Sequence, residues 1–111
     1  KKQFSRAKQY ANKAISFNPN KGDAYILIAQ MYAASPNWSD ENALNKCTYF
    51  AVIDKLQRAK SVDPSVAEEA NKLISTYSRH TPKDEDLFFL GLKKGSTVQI
   101  GGWIGETTTI R

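Results

Sequence analysis

The sequence predicts an all-α fold of antiparallel helix pairs, closed at its carboxyl end by a short β-hairpin. Three observations carry this reading. Apolar residues recur at helical spacing over residues 1–91, interrupted only where Pro sits in turn chemistry. The joints between helices repeat one another. The tail VQIGGWIGETTTIR breaks both patterns, with Gly clustered beside a run of β-branched Thr.

The first helix presents Phe4, Ala7, Ala11 and Ala14 on one face and Lys2, Arg6 and Lys13 on the other. It ends near Phe17, because Pro19 within Asn18-Pro19-Asn20 cannot sit inside a continuing helix. A second helix over 22–34 turns Tyr25, Ile28, Ala29 and Tyr32 inward and stops at Ser35-Pro36-Asn37. Ser39 reads as the N-cap of a long third helix reaching about residue 61, with Asp40 and Glu41 at the positive end of its dipole. Ala43, Leu44, Cys47, Phe50, Val52, Leu56 and Ala59 form its apolar face.

Ser65-Val66-Ala67-Glu68 has the spacing of a capping box and opens a fourth helix to about Arg79, with Ala70, Leu73, Ile74 and Tyr77 inward. Thr81-Pro82-Lys83-Asp84 reads as cap, Pro at the first helical position and acidic first turn of a short last helix. Residues 92–111 then form the hairpin, with strands near 96–100 and 103–110 hinged on Gly101-Gly102 as a primed turn. Ile100 faces Trp103 in that register, and the hairpin packs on the last helix through Leu87, Phe88 and Leu90. The glycines are not a phosphate loop, since no helix N-terminus and no Gly-Lys-Ser/Thr follows them. Deleting 96–111 is expected to destabilise the chain.

The repeat lies in the joints. AISFNPNKGDAY (14–25) aligns with AKSVDPSVAEEA (59–70), keeping Ala, Ser and Pro at the same offsets. Tyr25, Ile28, Ala29 and Tyr32 recur as Ala70, Leu73, Ile74 and Tyr77, and Ala7, Ala11 and Ala14 recur as Val52, Leu56 and Ala59. These spacings resemble the tetratricopeptide repeat, in which small residues let two helices approach and bulky ones fill the gap between them. The resemblance implies an α–α superhelix of about two repeat units over 1–91. Pro19 and Pro64 are 45 residues apart, against about 34 for that repeat. The excess falls in ASPNWSDENALNK (34–46), read as an extended loop plus added helix, with Trp38 folding back as a plug.

A narrower resemblance covers AVIDKLQRAKSVDPSVAEEANKLISTY, KDEDLFF and GGWIGETTTIR. These strings are similar to the carboxyl ends of tetratricopeptide-repeat proteins from Bacteroidetes, many of them exported to the cell envelope. This implies a scaffold or interaction protein in a cell-envelope or periplasmic setting, and carries over no catalytic residue. The opening KKQFSRAKQY, without Met, reads as a fragment or processed product of a longer solenoid.

Charge is unevenly placed. The net +5 arises in residues 1–21, which carry six Lys/Arg and no acid, while the remainder is nearly neutral. The stripe Lys2, Arg6 and Lys13 gives the alternative reading, a nucleic-acid-associated protein, although no reading motif accompanies it. One His and one Cys leave a Cys47–His80 pair as the conceivable catalytic arrangement. Cys47 lies on an apolar stripe and His80 at a helix end, so no catalytic residue is assigned. Asp84, Glu85 and Asp86 are consecutive in a helix start and serve the dipole rather than a shared ion, and no metal or cofactor site is assigned.

The chain is therefore expected to be a non-enzymatic protein-interaction module. The concave face of such stacks is lined by the first helix of each pair, which selects Asp23, Ile26, Gln30 and Ala33 as partner-facing residues. Trp38 in the inserted loop and Trp103 at the hairpin tip complete the set. Ile26 and Gln30 do not supply the basic clamp that would hold a peptide's terminal carboxylate. Phe4, Tyr10 and Phe17 leave apolar surface on the first helix and favour self-association.

Overall fold

Helix α1 (Lys2–Phe17) and helix α2 (Gly22–Ala34) are joined through Asn18-Pro19-Asn20-Lys21, where the sequence places the turn. The computed structural model describes residues 2–111, with side chains from Phe4 onward; Lys1 and the side chain of Lys2, assigned to the basic stripe, lie outside the described residues. Beyond α2 come α3 (Asn42–Lys46), α4 (Thr48–Val62), a 3-10 turn (Pro64–Val66), α5 (Ala67–Ser78) and α6 (Asp84–Phe89). Strands β1 (Thr97–Gln99) and β2 (Thr107–Thr109) end the chain as a two-stranded antiparallel sheet. The helices pack in the order α1–α2–α4–α5.

The predicted third helix is two helices. The 35–41 stretch is loop, α3 supplies the added turns, and the ladder breaks at Cys47, whose N–H reaches back to Leu44 and Ala43 while its carbonyl takes the Phe50 N–H. Ser39 does not cap it. Its Oγ accepts the Glu41 N–H at 3.0 Å inside the loop, and α3 starts after Glu41.

The Ser65–Glu68 capping box does not form either. Asp63 takes that role, its Oδ1 accepting the Ser65 N–H at 3.1 Å and the Ser65 hydroxyl at 2.5 Å, and its Oδ2 accepting the Gly22 N–H at 3.1 Å. These bonds, that of the Ser65 hydroxyl foremost, hold the Asp63 carboxyl below its ordinary pKa. The same carboxylate thus serves the start of α2 and the 3-10 turn before α5. Gly22 is pressed into that joint: a Cβ there would meet Val66 Cγ2 at 2.5 Å and Asp63 Cβ at 2.8 Å.

The core forms where the repeat pattern places it. Ile28, Ala29 and Tyr32 on α2 and Val52, Leu56 and Ala59 on α4 are fully buried. Ala29 has only a methyl group to place between the two helices, which lets them approach closely. On α5, Ala70 is fully buried, whereas Leu73, Ile74 and Tyr77 are half-buried against the core.

Thr81 donates its hydroxyl to Ser78 O and so closes α5 rather than opening α6, whose first turn is held by Asp86 accepting the Lys83 N–H. Leu87 enters the core as expected, but Phe88 is 79% exposed. The hairpin packs on α4 instead of on α6, placing Val98, Ile100, Ile104 and Ile110 in the same core as the helices.

Its register also differs from the two-residue turn. Thr97 pairs with Thr109, Val98 with Thr108 and Gln99 with Thr107. The Ile100 N–H donates to Glu106 O at 2.7 Å, so the loop runs over 101–105. Gly102 and Gly105 have positive φ there, +69° and +57°, which L side chains avoid. The longer loop lets both Ile100 and Ile104 turn inward, which a turn at Gly101-Gly102 forbids.

Candidate functional site

Each predicted partner-facing residue has a definite place. On α2, Asp23 and Gln30 are exposed and Ala33 is half-buried. Ile26 is 4% exposed and belongs to the core, so it cannot face a partner. The expected continuous face on α2 is therefore interrupted at its centre.

Trp38 and Trp103, 65 positions apart, are brought together. They line a cleft of about 560 Å³ between the 35–40 loop, Ser5 on α1 and the hairpin tip. Gly101 sits on the Trp38 ring so closely that a Cβ would meet Cε3 at 2.8 Å. Trp103 stacks on Phe4 with centroids 5.4 Å apart and meets Tyr32 edge-on at 5.3 Å. Both indole N–H groups are buried and without a partner among the described residues. Each unmet donor costs about 1–3 kcal/mol, so ring packing rather than hydrogen bonding holds the indoles in place.

The loop carrying Trp38 is organised by Asn45, which sequence reading missed. Asn45 is buried; its Oδ1 accepts the N–H groups of Trp38 (2.9 Å) and Ser39 (2.8 Å), and its Nδ2 donates to Ser39 O at 2.8 Å. Thr48, fully buried, donates its hydroxyl to Pro36 O at 3.0 Å.

On the other side of the tip a polar network ties the hairpin to three helices. The Tyr32 hydroxyl donates to the Glu106 carboxylate, which also pairs with Lys55 at 3.1 Å, while Lys8 Nζ donates to Ile104 O at 2.6 Å. Burial first, and then the bond to Glu106, holds the Tyr32 phenol well above its ordinary pKa. Burial lowers the Lys8 pKa, Glu106 opposing and Lys55 adding to that shift. Thr108 and Arg111 both bond Asp54 on α4. Lys8 is thereby spent on the hairpin, and among the described residues of α1 the exposed cations are Arg6 and Lys13.

Cys47 is fully buried, and burial pushes its thiol up to about 11, so it is protonated at neutral pH and poorly suited to attack. His80 lies against the Tyr49 ring, centroids 5.1 Å apart. No three of His, Cys, Asp and Glu gather into a metal-holding group among the described residues.

A further opening lies between α1 and α2, about 370 Å³ in volume and lined by Ala7, Tyr10, Ala11, Ala14, Ala24 and Leu27, with Lys21 and Asp23. Tyr10 is 67% and Leu27 47% exposed. The signal for this groove was in the sequence: α1 carries Ala7, Ala11 and Ala14 where α4 carries Val52, Leu56 and Ala59. The α4 residues are fully buried between α2 and α5, whereas of their α1 counterparts Ala11 is buried and Ala7 and Ala14 are half-buried along the opening. No helix of the described residues is long and apolar enough to cross a membrane. No protein-family model, curated protein or solved structure matches this chain.

Proposed function

We propose that the chain is a non-enzymatic protein-interaction or scaffold module of tetratricopeptide-like kind, with the hairpin packed across α1, α2 and α4 and a groove left open between α1 and α2. One observation carries this reading: an opening beside exposed Tyr10 and Leu27 is lined by half-buried Ala7 and Ala14 and buried Ala11 of α1, while the equivalent Val52, Leu56 and Ala59 of α4 are fully buried between two helices. A groove bordered by small residues suits the close approach of another helix, since short side chains leave room for a helix backbone. The occupant is then a helix, whether of an adjoining repeat or of a partner chain.

A photo-crosslinking amino acid in place of Ala14, with a second variant carrying it at exposed Thr107 on the hairpin, tests this in native cell extract. The expected adducts come from position 14 and map to helical segments. Adducts from position 107, with none from 14, would place the interaction surface elsewhere.

A further inference from the structure

We propose that the opening between α3, the start of α4 and the joint after α5 binds the phosphate group of a small phosphorylated molecule. That joint reads Arg79-His80-Thr81-Pro82-Lys83, three basic residues in five. Its course is fixed by two contacts. Thr81 donates its hydroxyl to Ser78 O at 2.9 Å, and the His80 ring lies 5.1 Å from that of Tyr49, which also stacks on Tyr77 at 6.1 Å. The joint is thereby laid beside the α3–α4 break, where Lys46 stands in the last turn of α3. Arg79, His80 and Lys83 share with Lys46, Tyr49 and Asn42 one opening of about 380 Å³. Small-molecule sites span roughly 300–1,000 Å³.

The charge at this opening is of one sign. Arg79 and His80 complement the dipole at the end of α5, which accounts for their position but not for their meeting with Lys46 and Lys83. No carboxylate lines the opening among the described residues. Asp86 pairs with Lys46 at 3.7 Å and offsets that cation, whereas Arg79 and Lys83 make no ion pair with the described residues. Asp40 and Asp84 line other openings, the Trp38–Trp103 cleft and the depression beside Phe88. Exposed Glu41 and Glu85 line none of these. A hollow walled by cations focuses its field on an anion. Arg79 offers forked N–H donors that match two phosphate oxygens, Lys83 offers an ammonium, and Tyr49 and Asn42 add neutral donors.

The same placement disfavours a nucleic acid. Glu41 and Asp84, both exposed, adjoin the lining residues Asn42 and Lys83 in the chain, so a backbone running on past the opening meets carboxylates. The cations also gather in a hollow instead of forming the row that successive phosphates require. One phosphate on a small molecule meets the cations alone.

Heteronuclear NMR of the nitrogen-labelled chain tests this, titrated at fixed ionic strength with sodium phosphate, glycerol phosphate and adenosine monophosphate against a sodium chloride blank. The wild type is expected to show saturable shifts at the amides of Asn42, Lys46, Tyr49 and residues 79–83, with α1 unmoved. Arg79→Gln/Lys83→Gln, at two exposed positions, is expected to keep the dispersed spectrum of the fold and to bind roughly tenfold more weakly. Arg6→Gln/Lys13→Gln on α1 is expected to bind like the wild type. Orthophosphate binding as tightly as either ester identifies the free ion as sufficient, and tighter binding of an ester shows that its organic part is also recognised; both uphold the proposal. Absence of a saturable shift with all three anions, or unchanged affinity in Arg79→Gln/Lys83→Gln, overturns it. Loss of binding in the α1 variant moves the anion to α1 and does the same. A single-stranded oligonucleotide that shifts these amides where none of the three small anions does makes the opening part of a polyanion surface, and the proposal falls.

Discussion

A chain lacking residues 96–111 is expected to lose cooperative folding altogether. The deleted segment holds Val98, Ile100, Ile104 and Ile110, at 7%, 0%, 1% and 1% exposure, inside the helices' own core. At about 1.5–3 kcal/mol for each buried aliphatic side chain, four contribute roughly 6–12 kcal/mol. That is comparable with the whole net stability of a domain, about 5–15 kcal/mol. The deletion also bares Phe50 and the network of Tyr32, Lys8 and Lys55, which the hairpin covers through Arg111, Glu106 and Ile104. Thermal melting followed by circular dichroism is expected to give a broad, non-cooperative decline. A sharp transition at the intact chain's temperature would show that the hairpin is an appendage.

Asn45→Ala is expected to cost about 2–3 kcal/mol, because it leaves two loop N–H groups and one carbonyl without their partner. Those groups belong to Trp38 and Ser39, so the loss frees the loop that positions Trp38 against Gly101. Urea unfolding should show a lower midpoint at an unchanged slope, with Trp fluorescence shifted to the red in the native baseline. Asn45→Asp keeps an acceptor for both N–H groups but sets an oxygen against Ser39 O, and should fall between the two. An unchanged midpoint in Asn45→Ala would mean that the loop is held by Trp38 packing alone.

How far the fold was legible follows from these residues. The limits of α1 and α2 were readable because Asn18-Pro19-Asn20 and Ser35-Pro36-Asn37 stop a helix through backbone geometry, whatever surrounds them. The break at Cys47 was not, because the apolar spacing from Ala43 to Phe50 runs on through it. Only the demand of the 35–41 loop for Asn45 and Thr48 as hydrogen-bond partners shows why the segment turns there. Ser65 and Glu68 had capping-box spacing, yet Asp63 reaches the same backbone donor and Gly22 as well, a tertiary contact that local spacing does not contain.

The hairpin teaches a similar point. Gly101-Gly102 suggested a two-residue turn, but burial of Ile100 together with Ile104 required the five-residue loop. Alternation at Val98 and Ile100 against Thr108 and Ile110 already pointed to the observed register. Of the candidate site, the meeting of Trp38 with Trp103 depends on a fold-back that no spacing encodes, and Ile26 fell to the core because the joint at Gly22 and Val66 closes over that end of α2. The groove between α1 and α2 was not read from the sequence, although Ala7 and Ala11 stand where the aligned segment has Val52 and Leu56.

Native-state amide hydrogen exchange tests most directly the claim that the hairpin belongs to the helical core while α1 borders an open groove. The amides of Ile100 and Ile110, bonded to Glu106 and Ser96, should exchange only through global unfolding, with the same opening free energy as the core amides of α4. Amides of α1, which packs on α2 and borders the open groove, should exchange by a cheaper local opening. Rapid exchange at Ile100 and Ile110 while α4 stays protected would contradict the account.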